Sequence, residues 1–129
     1  MCDIDYFKKY NDIYGHIQGD NILKTIAEIL KKTLRISDEI FRYGGEEIII
    51  ILPEQDINDT MIAAERVVKS VESLRIEHKG SEFGIVTISC GITAFDKKTD
   101  LDSKWVSIVD RADKALYRAK SGGRNRVNA

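Results

Sequence analysis

Glu46 and Glu47 stand side by side directly after Gly44 and Gly45, between the apolar runs 40–43 and 48–52. Two such runs around a diglycine signal a hairpin, because glycine accepts the positive φ of a tight turn. The glycines also remove side chains beside the acids, so a phosphorylated ligand can approach the backbone closely. Two carboxylates at the tip of a strand cost free energy unless a cation, basic groups or water compensates them; the same residues also fit a solvated acidic turn. Asp3 and Asp5 flank Ile4 and share a face in extended chain. Acids at a strand end beside an acidic hairpin suit Mg²⁺, which prefers hard oxygen ligands and keeps phosphates and waters in its shell. Their other reading is as caps of the following helix. Lys120 and Arg124 bracket Gly122 and Gly123 and offer cations to a terminal phosphate, although the macrodipole favours cations at any helix C-terminus. His16 has no identifiable partner acid, which suits contact with a ligand ring or carbonyl better than a role as base. No serine or cysteine nucleophile with a paired base is visible, and there is no P-loop.

The elements that must position these groups follow from periodicity. Asp5 reads as the cap of a first helix with Tyr6, Phe7 and Tyr10 on its apolar side, leaving near Asn11 and Asp12 into a loop at Gly15 and His16. Gly19 to Asn21 opens an amphipathic helix carrying Leu23, Ile26, Ala27, Leu30 and Leu34 at helical spacing. After the hairpin, whose return run has no polar break and so predicts a strand covered on both faces, a second amphipathic helix spans about 58–74. Residues 83–95 alternate as a strand does. Ser103 caps a last helix with the stripe Val106, Val109, Ala112, Leu116 and Tyr117, which stops at Gly122 and Gly123, and 124–127 read as a short closing strand. One α+β domain, or α/β sandwich, with a mixed sheet covered by helices accommodates this order over residues 1–129.

Its 129 residues, 43% apolar and 32% charged, support a single sizeable core. A net charge of −1 argues against nucleic acid or an anionic membrane as partner, so any anionic ligand must be held by placed cations, amides or a metal ion. Cys2 and Cys90, far apart in sequence, read as reduced thiols of a cytoplasmic chain. No run approaches the length of a membrane span.

Residues 3–16, Asp-Ile-Asp-Tyr-Phe-Lys-Lys-Tyr-Asn-Asp-Ile-Tyr-Gly-His, followed by Gly19-Asp20 and Arg42-Tyr43-Gly44-Gly45-Glu46-Glu47, resemble the GGDEF domain of diguanylate cyclases. Residues 89–92, Ser-Cys-Gly-Ile, and 112–120 with Gly123-Arg124-Asn125 resemble that family's later strand and closing helix. The resemblance runs from the first residues to the last few, in the family's order and spacing. It implies a palm-like nucleotidyl cyclase fold with a mostly antiparallel central sheet, and condensation of two GTP into cyclic di-GMP and two pyrophosphates by a homodimer. Asp3, the Ile4 carbonyl and Glu46 would hold Mg²⁺ or Mn²⁺, and Glu46 or Glu47 would assist deprotonation of the ribose 3′-hydroxyl. The amides of Tyr6, Phe7 and Lys8, with Lys120 and Arg124, would meet the phosphates, and Asn11 and Asp20 would read guanine near His16. Arg35 and Asp38, as Arg-x-x-Asp, with Arg66, match an inhibitory product site. The other function consistent with the resemblance is a GGDEF-type module that binds cyclic di-GMP or GTP without turnover.

Two departures stand out. Ile48 replaces the family's phenylalanine, a buried apolar exchange that repacking can absorb. The family's preceding segment, with most of the first strand, is absent from these residues, so unpaired backbone and an open core are expected beside the strand remnant. A sensory or membrane-bound portion of a longer parent protein remains compatible with the sequence.

Overall fold

The computed structural model describes residues 1–101 and 104–129. The elements are β1 (Cys2–Ile4), α1 (Phe7–Tyr14), α2 (His16–Thr33), β2 (Glu39–Gly44), β3 (Glu47–Ile51), α3 (Ile57–Glu72), β4 (Ile88–Gly91), α4 (Trp105–Ser121) and β5 (Val127–Asn128). The sheet order is β2-β3-β1-β4-β5, antiparallel except where β5 joins β4. The first strand, only three residues long, therefore lies at the centre of the sheet, and all three residues are buried.

Register sets which face each residue takes. Cys2 lies opposite both Ile48 and Cys90, and these residues join Ile4 and Ile88 in one core with Ile22, Ile26 and Leu30 of α2 and Val67, Val68 and Val71 of α3. Asp3, opposite Glu47 and Ser89, points the other way, where α4 packs through Ala112, Ala115, Leu116 and Ala119. The apolar stripes of α2 and α3 bury largely as expected. In α4 only Ala112 and Leu116 of the expected stripe are buried; Val106 and Tyr117 are exposed, and the small residues Ala115 and Ala119 are buried in their place. Cys2 and Cys90, separated by most of the chain, face each other with Sγ atoms 2.8 Å apart, both free thiols. Burial and the neighbouring thiol push Cys90 well above the ordinary thiol range.

Several local expectations are corrected. Asp5 does not cap α1. Tyr6 occupies that position in the left-handed region, with φ 57°, and no side chain caps the helix. Asp5 is instead buried. The first helix runs on to Tyr14, and a one-residue break at Gly15 lets His16 begin α2 rather than sit in a loop. The extended run 83–95 shrinks to β4, because the chain before it turns back on itself through hydrogen bonds between His78, Ser81 and Gly84. The closing strand lies at Val127–Asn128, after a turn at 123–125 in which Gly123, Arg124 and Asn125 all have positive φ. Asp102 and the proposed cap Ser103 lie outside the described residues.

The return strand of the hairpin is not covered on both faces, since Ile51 is 49% exposed. Beyond the pairs Cys2↔Ile48 and Asp3↔Glu47, residues 49–51 have β2 on one edge and, among the described residues, no strand on the other. An open apolar groove of about 1250 Å³, lined by Met1, Phe41, Ile49, Ile51, Trp105 and Val109 among others, follows from this gap. Alternating apolar residues supplied ahead of Met1, enough to pair with 49–51, should raise the melting temperature by roughly 5 °C or more. They should also protect from hydrogen exchange the amides of 49–51 that face the gap. Melting and exchange measurements check both.

Candidate functional site

The acids converge. Asp3 lies directly across from Glu47, the first residue of β3, and Glu46 precedes it in the turn of the hairpin. Gly45, with φ 48°, makes the bend, and Arg42 Nε donates to the Gly45 carbonyl at 2.9 Å, holding the turn shut. Asp3 is only 5% exposed. Burial raises its pKa to about 6; Lys120 opposes this shift, while Glu46 and Glu47 add to it. Lys120 Nζ is 2.8 Å from Asp3 Oδ2, so this cation, read from sequence as a phosphate ligand, is ion-paired with the strand acid.

Among the described residues no three His, Cys, Asp or Glu side chains gather closely enough to hold a metal ion by themselves. Mg²⁺ asks for less, because one or two carboxylates and the phosphates of a nucleotide complete its shell. A buried carboxylate whose charge is disfavoured, with two further acids adding to the strain, fits such a cation through hard oxygen donors. Asp3, Glu46 and the Ile4 carbonyl are the groups that would hold it.

Beside the acids lies a cavity of about 630 Å³ lined by Phe7, Lys8, Asn11, His16, Asp20 and Glu46, with Gly45 and Arg42 at its edge. Its volume falls in the usual range of small-molecule sites. At one end stands the N-terminus of α1. Without a side-chain cap its first-turn amides have no partner within the helix and favour an anion. At the other end stand Asn11 and Asp20. Asn11 Oδ1 is buried against Gly19 and, among the described residues, accepts no hydrogen bond, an unusual state for a buried carbonyl. The side chain fits because residue 19 is glycine, since a Cβ there would come within 1.8 Å of Asn11 Oδ1.

Three features escape a reading of the sequence. Asp5, 1% exposed, accepts from Thr87 Oγ1 at 2.8 Å, Ser89 Oγ at 2.7 Å and the Asn125 amide at 3.1 Å. It thereby fastens the loop after Asp3 to β4 and to the turn carrying Arg124. Arg124 lies over the Tyr6 ring, 4.5 Å from its centroid, and is thus held above the start of α1. Arg42 edges the cavity, whereas its place in an exposed strand gave no signal. The alternation of Thr87 and Ser89 with apolar residues was the one available hint that β4 offers polar groups to a buried partner.

Arg35, Asp38 and Arg66 lie apart from this cavity. Arg35 and Asp38 form one closed turn after α2, with the Arg35 amide 2.8 Å from Asp38 Oδ2 and the Asp38 amide donating to the Arg35 carbonyl at 3.0 Å. The Arg35 side chain is exposed, as is Arg66 on α3.

A mostly antiparallel sheet with helices on both faces, bearing an acidic pocket beside an uncapped helix N-terminus, defines an α+β domain suited to a phosphorylated ligand. Comparison with known proteins gives the family. The family described as "Diguanylate cyclase, GGDEF domain" matches residues 1–126, and the chain belongs to it. Diguanylate cyclase A of Treponema denticola is 48% identical over 127 residues, which cover 98% of this chain and 33% of that protein. The chain thus spans about a third of the length of that relative. Among solved structures, the GGDEF domain of DgcB from Caulobacter crescentus in complex with c-di-GMP superposes with a TM-score of 0.86 at 32% identity, covering 99% of this chain and 74% of that one. The active GGEEF domain of a Vibrio cholerae diguanylate cyclase gives 0.77 at 30% identity, covering 98% and 78%.

The displaced pKa of Asp3 has a measurable sign. Its folded value of about 6 lies above the ordinary 3.8, so the stability this group lends the metal-free protein is complete below 3.8 and is lost as pH rises through about 6. Asp3→Asn cannot ionise and should gain on the wild type across that window, melting a few degrees higher at neutral pH. Saturating Mg²⁺ and nucleotide should reverse the order. Melting curves of both proteins across the window, with and without ligand, check this.

Proposed function

We propose that the domain is a diguanylate cyclase catalytic domain that condenses two GTP into cyclic di-GMP and two pyrophosphates. The observation that carries this reading is the pairing of Asp3 with Glu47 beside a cavity that Glu46 lines together with Asn11, Asp20 and the first turn of α1. Guanine enters toward Asn11 and Asp20. The Asp20 carboxylate accepts from the guanine N1–H and exocyclic amine, which adenine does not offer in that arrangement. The β- and γ-phosphates lie against the amides of Tyr6, Phe7 and Lys8, with Arg124 gripping the tail. Lys120 turns from Asp3 to the phosphates as the nucleotide arrives.

Each subunit of a head-to-head homodimer holds one GTP, so that the ribose 3′-hydroxyl of one faces the α-phosphate of the other. The Glu46–Glu47 pair takes the 3′ proton as the O3′–Pα bond forms. The bond from Pα to the bridging oxygen breaks, and pyrophosphate leaves with that oxygen. A second such step closes the ring. Asp3, the Ile4 carbonyl and Glu46 would hold a Mg²⁺ ion, which would supply neutralisation of phosphate charge, and positioning of the reactants supplies most of the rest. Arg35, Asp38 and Arg66 form a separate product site, a reading supported by the c-di-GMP complex of the similar Caulobacter domain.

Incubation with GTP and Mg²⁺ should yield cyclic di-GMP. Binding without product would instead make the domain a nucleotide receptor. Glu47→Gln should cut turnover by at least about 100-fold while GTP affinity, measured by calorimetry, changes by less than about threefold. Arg35→Ala, at an exposed side chain, should weaken cyclic di-GMP binding by about tenfold or more with melting temperature unchanged. Titration of the isolated domain reads this directly.

A further inference from the structure

His78 is fully buried, yet it belongs to no element of the catalytic cavity. Its ring sits against α1, edge-on to Tyr10 at 5.1 Å and to Tyr14 at 6.4 Å between centroids. The Gly80 amide donates to Nδ1 at 3.2 Å, so that nitrogen carries a lone pair and no proton. The remaining proton of the neutral ring therefore lies on Nε2, which is 3.2 Å from the Tyr6 carbonyl oxygen. Burial lowers the pKa of the imidazole, in keeping with a neutral ring that needs one acceptor and one donor site.

Tyr6 is the residue that most needs holding. Its φ of 57° places a bulky side chain in the left-handed region at the start of α1, a conformation that persists only when its surroundings enforce it. The enforcement comes chiefly from the segment around His78. The Tyr6 carbonyl, which also accepts the first helical bond from the Tyr10 amide at 3.0 Å, receives the Nε2–H. The Tyr6 hydroxyl donates to Glu82. The Lys79 amide donates to the Tyr14 hydroxyl at 3.0 Å, tying the same segment to the far end of α1. Lys9 and Arg124 lie over the Tyr6 ring.

We propose that His78 is a positioning residue for the phosphate-binding turn: its Nε2–H clamps the Tyr6 carbonyl, keeps Tyr6 left-handed and so leaves the amides of Phe7 and Lys8 free at the cavity. The clamp rests on the proposed function only in assigning the β- and γ-phosphates to those amides. Its geometry is independent of any turnover. A histidine that merely filled the core would be replaceable by any ring of similar size. The clamp requires a donor at the position of Nε2.

Two substitutions separate these roles. His78→Phe keeps the ring and its contacts with Tyr10 but loses the donor. His78→Gln keeps an amide donor at similar reach. The phenylalanine variant should move the backbone chemical shifts and HN–Hα coupling of Tyr6 away from left-handed values and weaken Mg²⁺–GTP binding by about tenfold or more. GMP, which lacks the β- and γ-phosphates, should bind as it does to wild type. The glutamine variant should restore the Tyr6 signals and return GTP affinity to within about threefold. In the unmodified protein, imidazole ¹⁵N shifts should show the proton on Nε2. A proton on Nδ1, a Tyr6 that stays left-handed in His78→Phe, or an equal loss of GTP and GMP binding that glutamine does not rescue would overturn the proposal. Should the wild type bind no GTP, the functional reading falls, and the Tyr6 and imidazole signals decide the clamp alone.

Discussion

The carboxylate of Asp5 is the constraint on which the site depends. A buried acid is tolerated only when its lone pairs are satisfied, and this one receives the hydroxyls of Thr87, just before β4, and Ser89, within it, and an amide from the turn after α4. Those bonds join two distant stretches of chain to the loop between β1 and α1. Asp3, two residues before, is thereby fixed against Glu47. Tyr6, one residue after, is brought within reach of the segment around His78, and Arg124, one residue before the donating amide, is set over its ring. Removing one partner of such a buried set costs more than the set contributes. The network therefore serves geometry before stability.

The candidate site shows the same preference. Lys120 leans on Asp3, and the acidic turn crowds a carboxylate that burial already disfavours. Asn11 keeps a buried oxygen without a donor, and Arg124 and Asn125 hold positive φ after Gly123. Three of the five non-glycine residues with positive φ among the described residues, Tyr6, Arg124 and Asn125, and the unpaired oxygen of Asn11 thus lie at or beside the candidate site.

Much of this was readable from residue types and spacing. The helical stripes of α2 and α3 and the diglycine hairpin follow from local chemistry, which a single sequence displays, whereas α4 buries the small residues Ala115 and Ala119 in place of the larger Val106 and Tyr117. The acids, Asn11, Asp20 and Arg124 were found through motif order; Asn11, Asp20 and Glu46 line the cavity, Asp3 pairs with Glu47 beside it, and Arg124 lies over the Tyr6 ring. What the sequence hid depends on contacts between distant residues. Asp5 carries the local signature of a helix cap, and only the pairing of β1 with β4 turns it inward. Cys2 and Cys90 become neighbours through register alone. Residues 83–95 alternate like a long strand, but the turn that brings His78 under α1 consumes the first part of that run. Tyr6 gave no hint of a positive φ, because bulky side chains normally avoid it and the reason it does not is a histidine 72 residues away.

That dependence on distant partners fixes when the site can exist. The Asp5–Asn125 bond spans 120 residues of chain. As the domain emerges during synthesis, β1 can pair with β3 early, but the Asp5 carboxylate has no donors until Thr87, Ser89 and then the turn at 123–125 have followed. Helical contacts within α2 and α3 can form meanwhile. The anchoring of the loop between β1 and α1 is thus among the last features of the domain to assemble.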